Sequence, residues 1–310
     1  MEYDVIGDIH GQADKLHGLL KALGYRETGG SWRHPSRTAI FVGDYIDRGP
    51  RQLDSVNTVR RMVDAGKALA IMGNHEFNAI AWHTPDPDQE GEYLRPRNGG
   101  KGQKNRAQHS AFLREVEGDP ELHAELVDWF LTLPLWLDLP GLRVVHACWH
   151  DGYMDELRPH VTEDFKVPRD LMVDASREGQ MAFRTIEGLT KGLEIALPDG
   201  HSFQDKDGHT RHNVRIRWWD AESTTYRDLA LMSDAARLAL PAVPIAHDAR
   251  SAYDNLKPVF FGHYWMKGKP VLQSPMSVCV DYSAADDGPL VAYRWDGEPT
   301  LEDRNFISVG

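Results

Sequence analysis

Cysteine is scarce: Cys148 and Cys279 are the only two in 310 residues. They are far apart and form no CxxC pair, which excludes a disulfide framework and a thiolate zinc site. Long apolar runs are also missing, with nothing near the roughly 18 residues of a membrane helix. Met1 is followed at once by acidic residues, leaving no room for a basic and then apolar leader. These absences predict a soluble, cytoplasmic protein with no membrane partner. Positive charge is short as well, because 35 Lys and Arg against 47 Asp and Glu give a net charge of -12. Long duplex nucleic acid is held by basic residues that displace phosphate counterions, so it is not expected as a partner. A small cationic pocket for one phosphate is still compatible with an acidic surface.

What is present is an ordinary globular composition, 41% hydrophobic and 26% charged, enough to bury a sizeable core. Short apolar runs recur: Tyr3 to Ile6, Thr38 to Val42 and Ala68 to Met72 each end in a polar cluster. Between them, Gln12 to Leu23 carries Leu16, Leu19, Leu20 and Leu23 at helical spacing, and Gln52 to Ala65 places Leu53, Val56, Val59 and Val63 on one face. The pattern predicts βαβαβ with a parallel sheet, whose ligands gather at the strand C-terminal ends. A helix is expected over 121–131, and strands over 142–145, 258–261, 277–280 and 290–295.

The segment from about 150 to 255 breaks this rhythm and reads as an insertion, too apolar in Ile216, Trp218 and Trp219 to be a linker. The domain expectation is one unit over 1–310 with 150–255 as a cap within it. The Gly/Lys-rich stretch Asn98 to Asn105 lacks the Gly-Lys-Ser/Thr ending of a nucleotide P-loop and is expected to be a mobile surface loop. Asp205 to Gly208 echoes a calcium loop but lacks its bidentate Glu, and is read as a turn.

Three clusters follow the first three strands: Gly7-Asp8-Ile9-His10-Gly11, Gly43-Asp44-Tyr45-Ile46-Asp47-Arg48-Gly49 and Gly73-Asn74-His75-Glu76. Singly, a Gly-Asp after a strand is more often a turn or cap than a metal ligand. Jointly, successive strand ends of one sheet bring Asp, His, Asp and Asn into one crevice. Oxygen and imidazole donors without thiolate suit manganese, iron or zinc. A carboxylate has two oxygens and can bridge two ions, and Asp44, on the central cluster, is the natural bridge.

In their order, GDIHG, GDYIDRG and GNHE resemble the calcineurin-like metallophosphoesterases, in particular their bacterial phosphoprotein-phosphatase-like branch, related to symmetrical dinucleoside tetraphosphatases. His146 after Val144-Val145 and His263 after Gly262 match the family's two later histidines, so the resemblance covers about 3–80, 140–147 and 258–295. It implies an α/β fold of two mixed sheets packed as a β-sandwich, flanked by helices. It implies two divalent metal ions, manganese first with iron or zinc as alternatives. Asp8 and His10 would bind one ion, Asn74, His146 and His263 the other, and Asp44 both. His75 would act as general acid oriented by Asp47, and Arg48 would clamp the phosphate.

The implied reaction is attack by a metal-bridging hydroxide on a phosphate monoester, as in serine/threonine protein phosphatases. The alternative is hydrolysis of nucleotides or of dinucleoside tetraphosphates; a remote one is a phosphate-sensing module without turnover. The partner is thus a phosphorylated substrate, protein or nucleotide. Ala147-Cys148-Trp149 replaces the glycines that usually follow the first late histidine. A second phosphate-binding arginine is expected among Arg97, Arg106, Arg177 and Arg184. Cys148 is not needed as a nucleophile where two metals supply one. His150 does not join His146 as a ligand pair.

Overall fold

The protein is described by a computed structural model over residues 1–204, 210–246 and 252–310. The turn expected at Asp205 to Gly208 lies outside the described residues, apart from which the sequence-based elements can be traced. Two mixed sheets form the centre. The first contains β1 (Glu2–Ile6), β2 (Arg37–Phe41) and β3 (Ala68–Ala70), and the second β4 (Trp136–Asp138), β5 (Arg143–Val145), β6 (Val259–Phe261) and β7 (Ser277–Cys279). Strands β8 (Leu290–Trp295) and β9 (Phe306–Val309) return to the first sheet, whose order is β9-β8-β1-β2-β3; the second runs β7-β6-β5-β4. β1, β2 and β3 are mutually parallel, as are β5, β6 and β7, while β8, β9 and β4 pair antiparallel. Strands β4 and β9 were not foreseen.

The period of two along each strand divides the apolar side chains between two cores. Tyr3, Val5, Ile40, Val144, Phe260, Val278 and Tyr293 meet in the cluster between the sheets. Ile6, Ala39, Phe41, Val145, Phe261 and Cys279 face the opposite way into the helix-covered core. Helices α1 (Ala13–Ala22) and α2 (Gln52–Asp64) bury the stripes that their periodicity announces, while α3 (Asn74–His83), which was not foreseen, is buried on nearly every side. α5 (Pro120–Phe130) starts on an Asp119 side chain that accepts from Leu122 N.

The expected loop at Asn98 to Asn105 is instead the first part of a helix, α4 (Gly99–Val116). Its buried side is Asn105, His109, Phe112 and Val116, spaced four, three and four residues apart as a helix face requires. The glycines hid it, and one of them is required: a Cβ on Gly102 would stand 2.2 Å from the Arg97 carbonyl carbon.

Between β5 and β6 the chain forms α6 (Asp151–Leu157), α7 (Leu171–Ala175), α8 (Met181–Lys191), α9 (Tyr226–Leu229) and α10 (Asp234–Ala239). A small ladder pairs Glu194–Ala196 with Asn213–Arg215. Trp218 is buried there, and its indole N–H donates to Ala147 O at 2.9 Å and to Tyr264 OH at 3.0 Å. His150 caps α6 by accepting from Tyr153 N. Among the described residues no helix is long and apolar enough to cross a membrane.

Candidate metal centre

The polar clusters lie just past the C-terminal ends of β1, β2, β3, β5 and β6, where a parallel arrangement leaves room for ligands. Several site residues adopt the left-handed backbone region that ordinary side chains avoid: His10 (φ 47°), Asp44 (53°), Asp47 (71°), Arg48 (72°) and His263 (70°). Such strain costs on the order of 1 kcal/mol per residue and survives only where the surroundings enforce it. Here they do. Asp44 O accepts from both Ile9 N and His10 N, and His10 O accepts from Gly49 N. Glu76, on the first turn of α3, accepts from Gly73 N, Asp44 N and Tyr45 N at 2.8–3.0 Å and ties the second cluster to the third. Burial and the neighbouring Asp44 charge push its carboxyl up to about 7 against those amide bonds. Sequence reasoning gave Glu76 no role at the site and missed this structural one. Gly262 is required by proximity, since a Cβ there would lie 2.0 Å from Asp8 Oδ1.

Asp44 is the hub. His75 N donates to its Oδ1 at 3.0 Å. Its Oδ2 faces three imidazole Nε2 atoms, those of His146 at 3.4 Å, His10 at 3.6 Å and His75 at 3.9 Å. The N–H groups at the other side of two of these rings are spoken for: His10 Nδ1 donates to Ile46 O at 2.9 Å and His146 Nδ1 to Val42 O at 2.7 Å. In the neutral ring each Nε2 is then a lone pair aimed at a carboxylate, a repulsive arrangement that a proton or a metal cation relieves. His146 Nε2 also lies 3.1 Å from Asn74 Oδ1, and His263 Nδ1 lies 2.9 Å from the same oxygen. Asp8 Oδ2 accepts from His263 N, while Asp8 Oδ1, His10 Nε2 and His263 Nε2 are buried without hydrogen-bond partners. Unpartnered buried oxygen and nitrogen donors in the residues around Asp44 fit divalent metal ions.

Among the described residues, the two compact candidate groups are His10, Asp44 and His75, and Asp44, His146 and His263, and they share Asp44. His75 falls in the first where Asp8 was expected, but its Nδ1 is bonded to Asp47 Oδ2 at 2.5 Å.

The protonation balance reflects the crowding of carboxylates. Burial and the nearby Asp281 push Asp8 well above the carboxylate range. Burial alone would lower His146, yet Asp44 and Asp8 outweigh it and raise the imidazole to about 10. A field that holds a proton this firmly also favours a metal cation. Burial and the adjacent His75 bring His10 down to about 3. At His75, Asp44 and Asp47 overcome burial and raise the ring. Both cysteines are fully buried and their thiols are pushed up by desolvation, so neither serves as a nucleophile.

A cavity of about 540 Å³ opens over the centre, lined by Asp44, His75, Asn74 and His263, and on its outer walls by Arg48, Arg95, Lys191, Arg211, Arg215 and Trp265. Arg48 lies with its guanidinium carbon 4.2 Å from the centre of the Trp265 ring. None of the four arginines weighed from sequence lines this cavity. Arg97 donates to Trp82 O, Arg106 pairs with Glu117, Arg177 with Asp86 and Asp88, and Arg184 with Glu156. Arg95 does line it, and its guanidinium is engaged by the neutral amides of Asn78 and Gln108 at 2.9 Å.

The model of the calcineurin-like phosphoesterase family matches residues 1–171. The chain belongs to that family. Calcineurin-like phosphoesterases are binuclear, metal-dependent phosphohydrolases, and the histidine and aspartate groups around Asp44 are this member's candidate metal ligands. Among curated relatives, the asymmetrical bis(5'-nucleosyl)-tetraphosphatase PrpE of Halalkalibacterium halodurans is 45% identical over 76 residues, 24% of this chain and 31% of that protein. PrpE of Oceanobacillus iheyensis is 28% identical over 158 residues, 51% of this chain and 58% of the relative. These matches thus span a third to less than two thirds of the relatives' length. The symmetrical bis(5'-nucleosyl)-tetraphosphatase of Ralstonia nicotianae is 26% identical over 237 residues, 69% of this chain and 72% of the relative. A solved structure described as that of a candidate diadenosine tetraphosphatase shares the fold, with a TM-score of 0.50 at 17% identity over 99% of this chain and 92% of that one.

Proposed function

We propose that this calcineurin-like phosphoesterase is a phosphohydrolase whose substrate carries a run of phosphates, as a dinucleoside polyphosphate does. One observation carries the reading: five cationic side chains, Arg48, Arg95, Lys191, Arg211 and Arg215, wall the cavity above Asp44. A single phosphoryl group is satisfied by the metal ions and one or two guanidinium forks. Further cations along the same wall suit further phosphates. A second cavity of about 640 Å³ adjoins through Lys191 and Arg215, with Tyr153, Phe183 and Asn213 in its lining, and offers room for a terminal nucleoside. The names of the relatives agree with this class of substrate.

Asp8, His10, Asp44, Asn74, His146 and His263 are the residues that would hold the two ions, for which manganese, iron and zinc all suit the donor set. Bound there, such ions supply an acidified water as nucleophile and neutralise charge on the phosphoryl oxygens. The chain's own groups do the rest. Arg48, lying against Trp265, grips the phosphoryl oxygens that gain charge. His75 hands a proton from Nε2 to the leaving oxygen, and Asp47 keeps that nitrogen turned toward Asp44 by holding Nδ1–H. Residues 150–255 act as a cap within a single unit over 1–310, and bring Lys191, Arg211 and Arg215 to the rim.

A second reading, hydrolysis of phosphate monoesters including phosphoproteins, is favoured by the buried Asp47–His75 pair, because an alkoxide is a poor leaving group and needs a proton more than a departing phosphate does. A phosphate sensor without turnover has no use for that pair. The deciding experiment compares diadenosine tetraphosphate, mononucleotides and a phosphoserine peptide at equal concentration with the manganese-loaded protein. The first reading expects kcat/KM for the tetraphosphate to lead by about 100-fold, roughly 2.7 kcal/mol of transition-state discrimination. A comparable lead for the phosphopeptide would replace it with the second. Failure to cleave any of these, or p-nitrophenyl phosphate, would remove the enzyme reading altogether.

A further inference from the structure

We infer that His109 is a positioning residue of the leaving-group acid: it grips the free oxygen of Asp47 and so fixes the direction in which His75 delivers its proton. The inference rests on the assignment of His75 as that acid. Asp47 Oδ2 receives His75 Nδ1 at 2.5 Å, and Asp47 Oδ1 receives His109 Nδ1 at 2.7 Å, from a residue 62 positions along the chain. The carboxylate is thus bracketed by two imidazoles. Rotation of an aspartate about its last torsion is soft, and a carboxylate bonded through one oxygen alone would let the attached imidazole swing. A second donor on the other oxygen removes that freedom. The two imidazoles outweigh the effect of burial and hold Asp47 below the usual carboxylate range.

The surroundings are rigid enough for this to matter. His109 is 3% exposed. Its ring packs beside Phe112 at 5.0 Å and Trp82 at 6.1 Å between centroids. Its helix, α4, is pinned to α2 by Glu115, whose two oxygens accept from Gln52 N and Leu53 N at 2.8 and 2.9 Å. Gln52 closes the loop, because its Oε1 accepts from Asp47 N at 2.5 Å. Donation from Nδ1 leaves His109 Nε2 as a lone pair that is buried with no hydrogen-bond partner. An apolar residue would fill this space without that penalty, so the histidine is explained by what its other nitrogen does.

The test uses the metal-loaded full chain and two aryl phosphates, phenyl phosphate with a poor leaving group and 2,4-dinitrophenyl phosphate with a good one. His109→Phe keeps the ring and removes the N–H. It should lower kcat on phenyl phosphate by about 10- to 100-fold, with KM and metal content unchanged and turnover of the dinitrophenyl ester within about threefold. His109→Asn, which presents an N–H near the place of Nδ1, should recover most of the loss, and His109→Gln should not. Equal losses on both esters, a loss confined to KM or metal content, or no loss at all would overturn the proposal. Should His109→Phe fail to fold, equal activity of the Asn and Gln variants on phenyl phosphate would overturn it. His75→Asn measured on the same pair separates the two layers. If it shows no leaving-group dependence, the acid assignment falls and this inference with it; if it does and His109→Phe does not, only the inference falls.

Discussion

The strand tips and the segment between β5 and β6 meet at one cavity, yet they are built differently. At the tips, functional atoms are buried, backbone φ angles are forced positive, and each carboxylate or imidazole is fixed by a directional bond, as His146 is by Val42 O and Asp44 by His75 N. In the intervening segment the contributors are half-buried or exposed cations, two of them already paired within that segment, Lys191 with Glu187 along one helix and Arg215 with Glu194 across a strand pair. Chemistry at phosphorus requires atoms placed within a fraction of an ångström. Attraction of a polyphosphate tail requires only a field of the right sign, which flexible side chains supply.

Substitutions should respect that division. The largest effect is expected at the tips, where Asp44→Asn removes the shared charge and should cost metal, measured by elemental analysis, together with roughly 10³-fold or more in turnover. Retention of both ions by that variant would dissolve the distinction at its centre. Next, His75→Asn should keep its metal and lose about 10²- to 10³-fold in kcat on phenyl phosphate; loss of metal instead would make His75 a ligand, as its place beside His10 and Asp44 allows. Gly262→Ala drives a Cβ toward Asp8 Oδ1 and should lower stability by about 2 kcal/mol, read in a denaturant titration.

On the other side of the comparison, Lys191→Ala combined with Arg215→Ala should raise KM for diadenosine tetraphosphate about tenfold, about 1.4 kcal/mol, and leave p-nitrophenyl phosphate nearly unaffected. An equal loss on both substrates would mean that these cations support the centre itself. The smallest effect concerns pH. Asp47 is one of the charges that raise His75, and an acid with a raised pKa is lost only as pH climbs through that higher value. Asp47→Asn should therefore move the alkaline limb of the kcat profile for phenyl phosphate to lower pH. An unmoved or upward-moving limb would show that Asp47 does not set the titration.

Legibility followed the same boundary. The three motifs could be read because each follows a strand with a clear period, and the expected helices over 12–23, 52–65 and 121–131 agree with α1, α2 and α5 to within a residue or two at each end. α4 was hidden because Gly99, Gly100 and Gly102 resemble turn chemistry, although Asn105, His109, Phe112 and Val116 carry a helical period just beyond them. His109 went unnoticed for that reason. Apart from Arg48, which its motif marks, the arginines on the cavity wall carried no local mark: nothing around Arg95 or Arg215 separates them in sequence from Arg97 or Arg184.

By itself, then, the sequence determined the family, the alternation that sorts side chains between two cores, and the order in which polar clusters arrive at strand ends, since these are encoded in spacings of a few residues. Only the tertiary structure decided that Asp47 sits between two imidazoles, the second on a distant helix, and which cations besides Arg48 overlook the site. Those are contacts between segments tens to hundreds of residues apart, and they depend on how sheets and helices pack rather than on any local period.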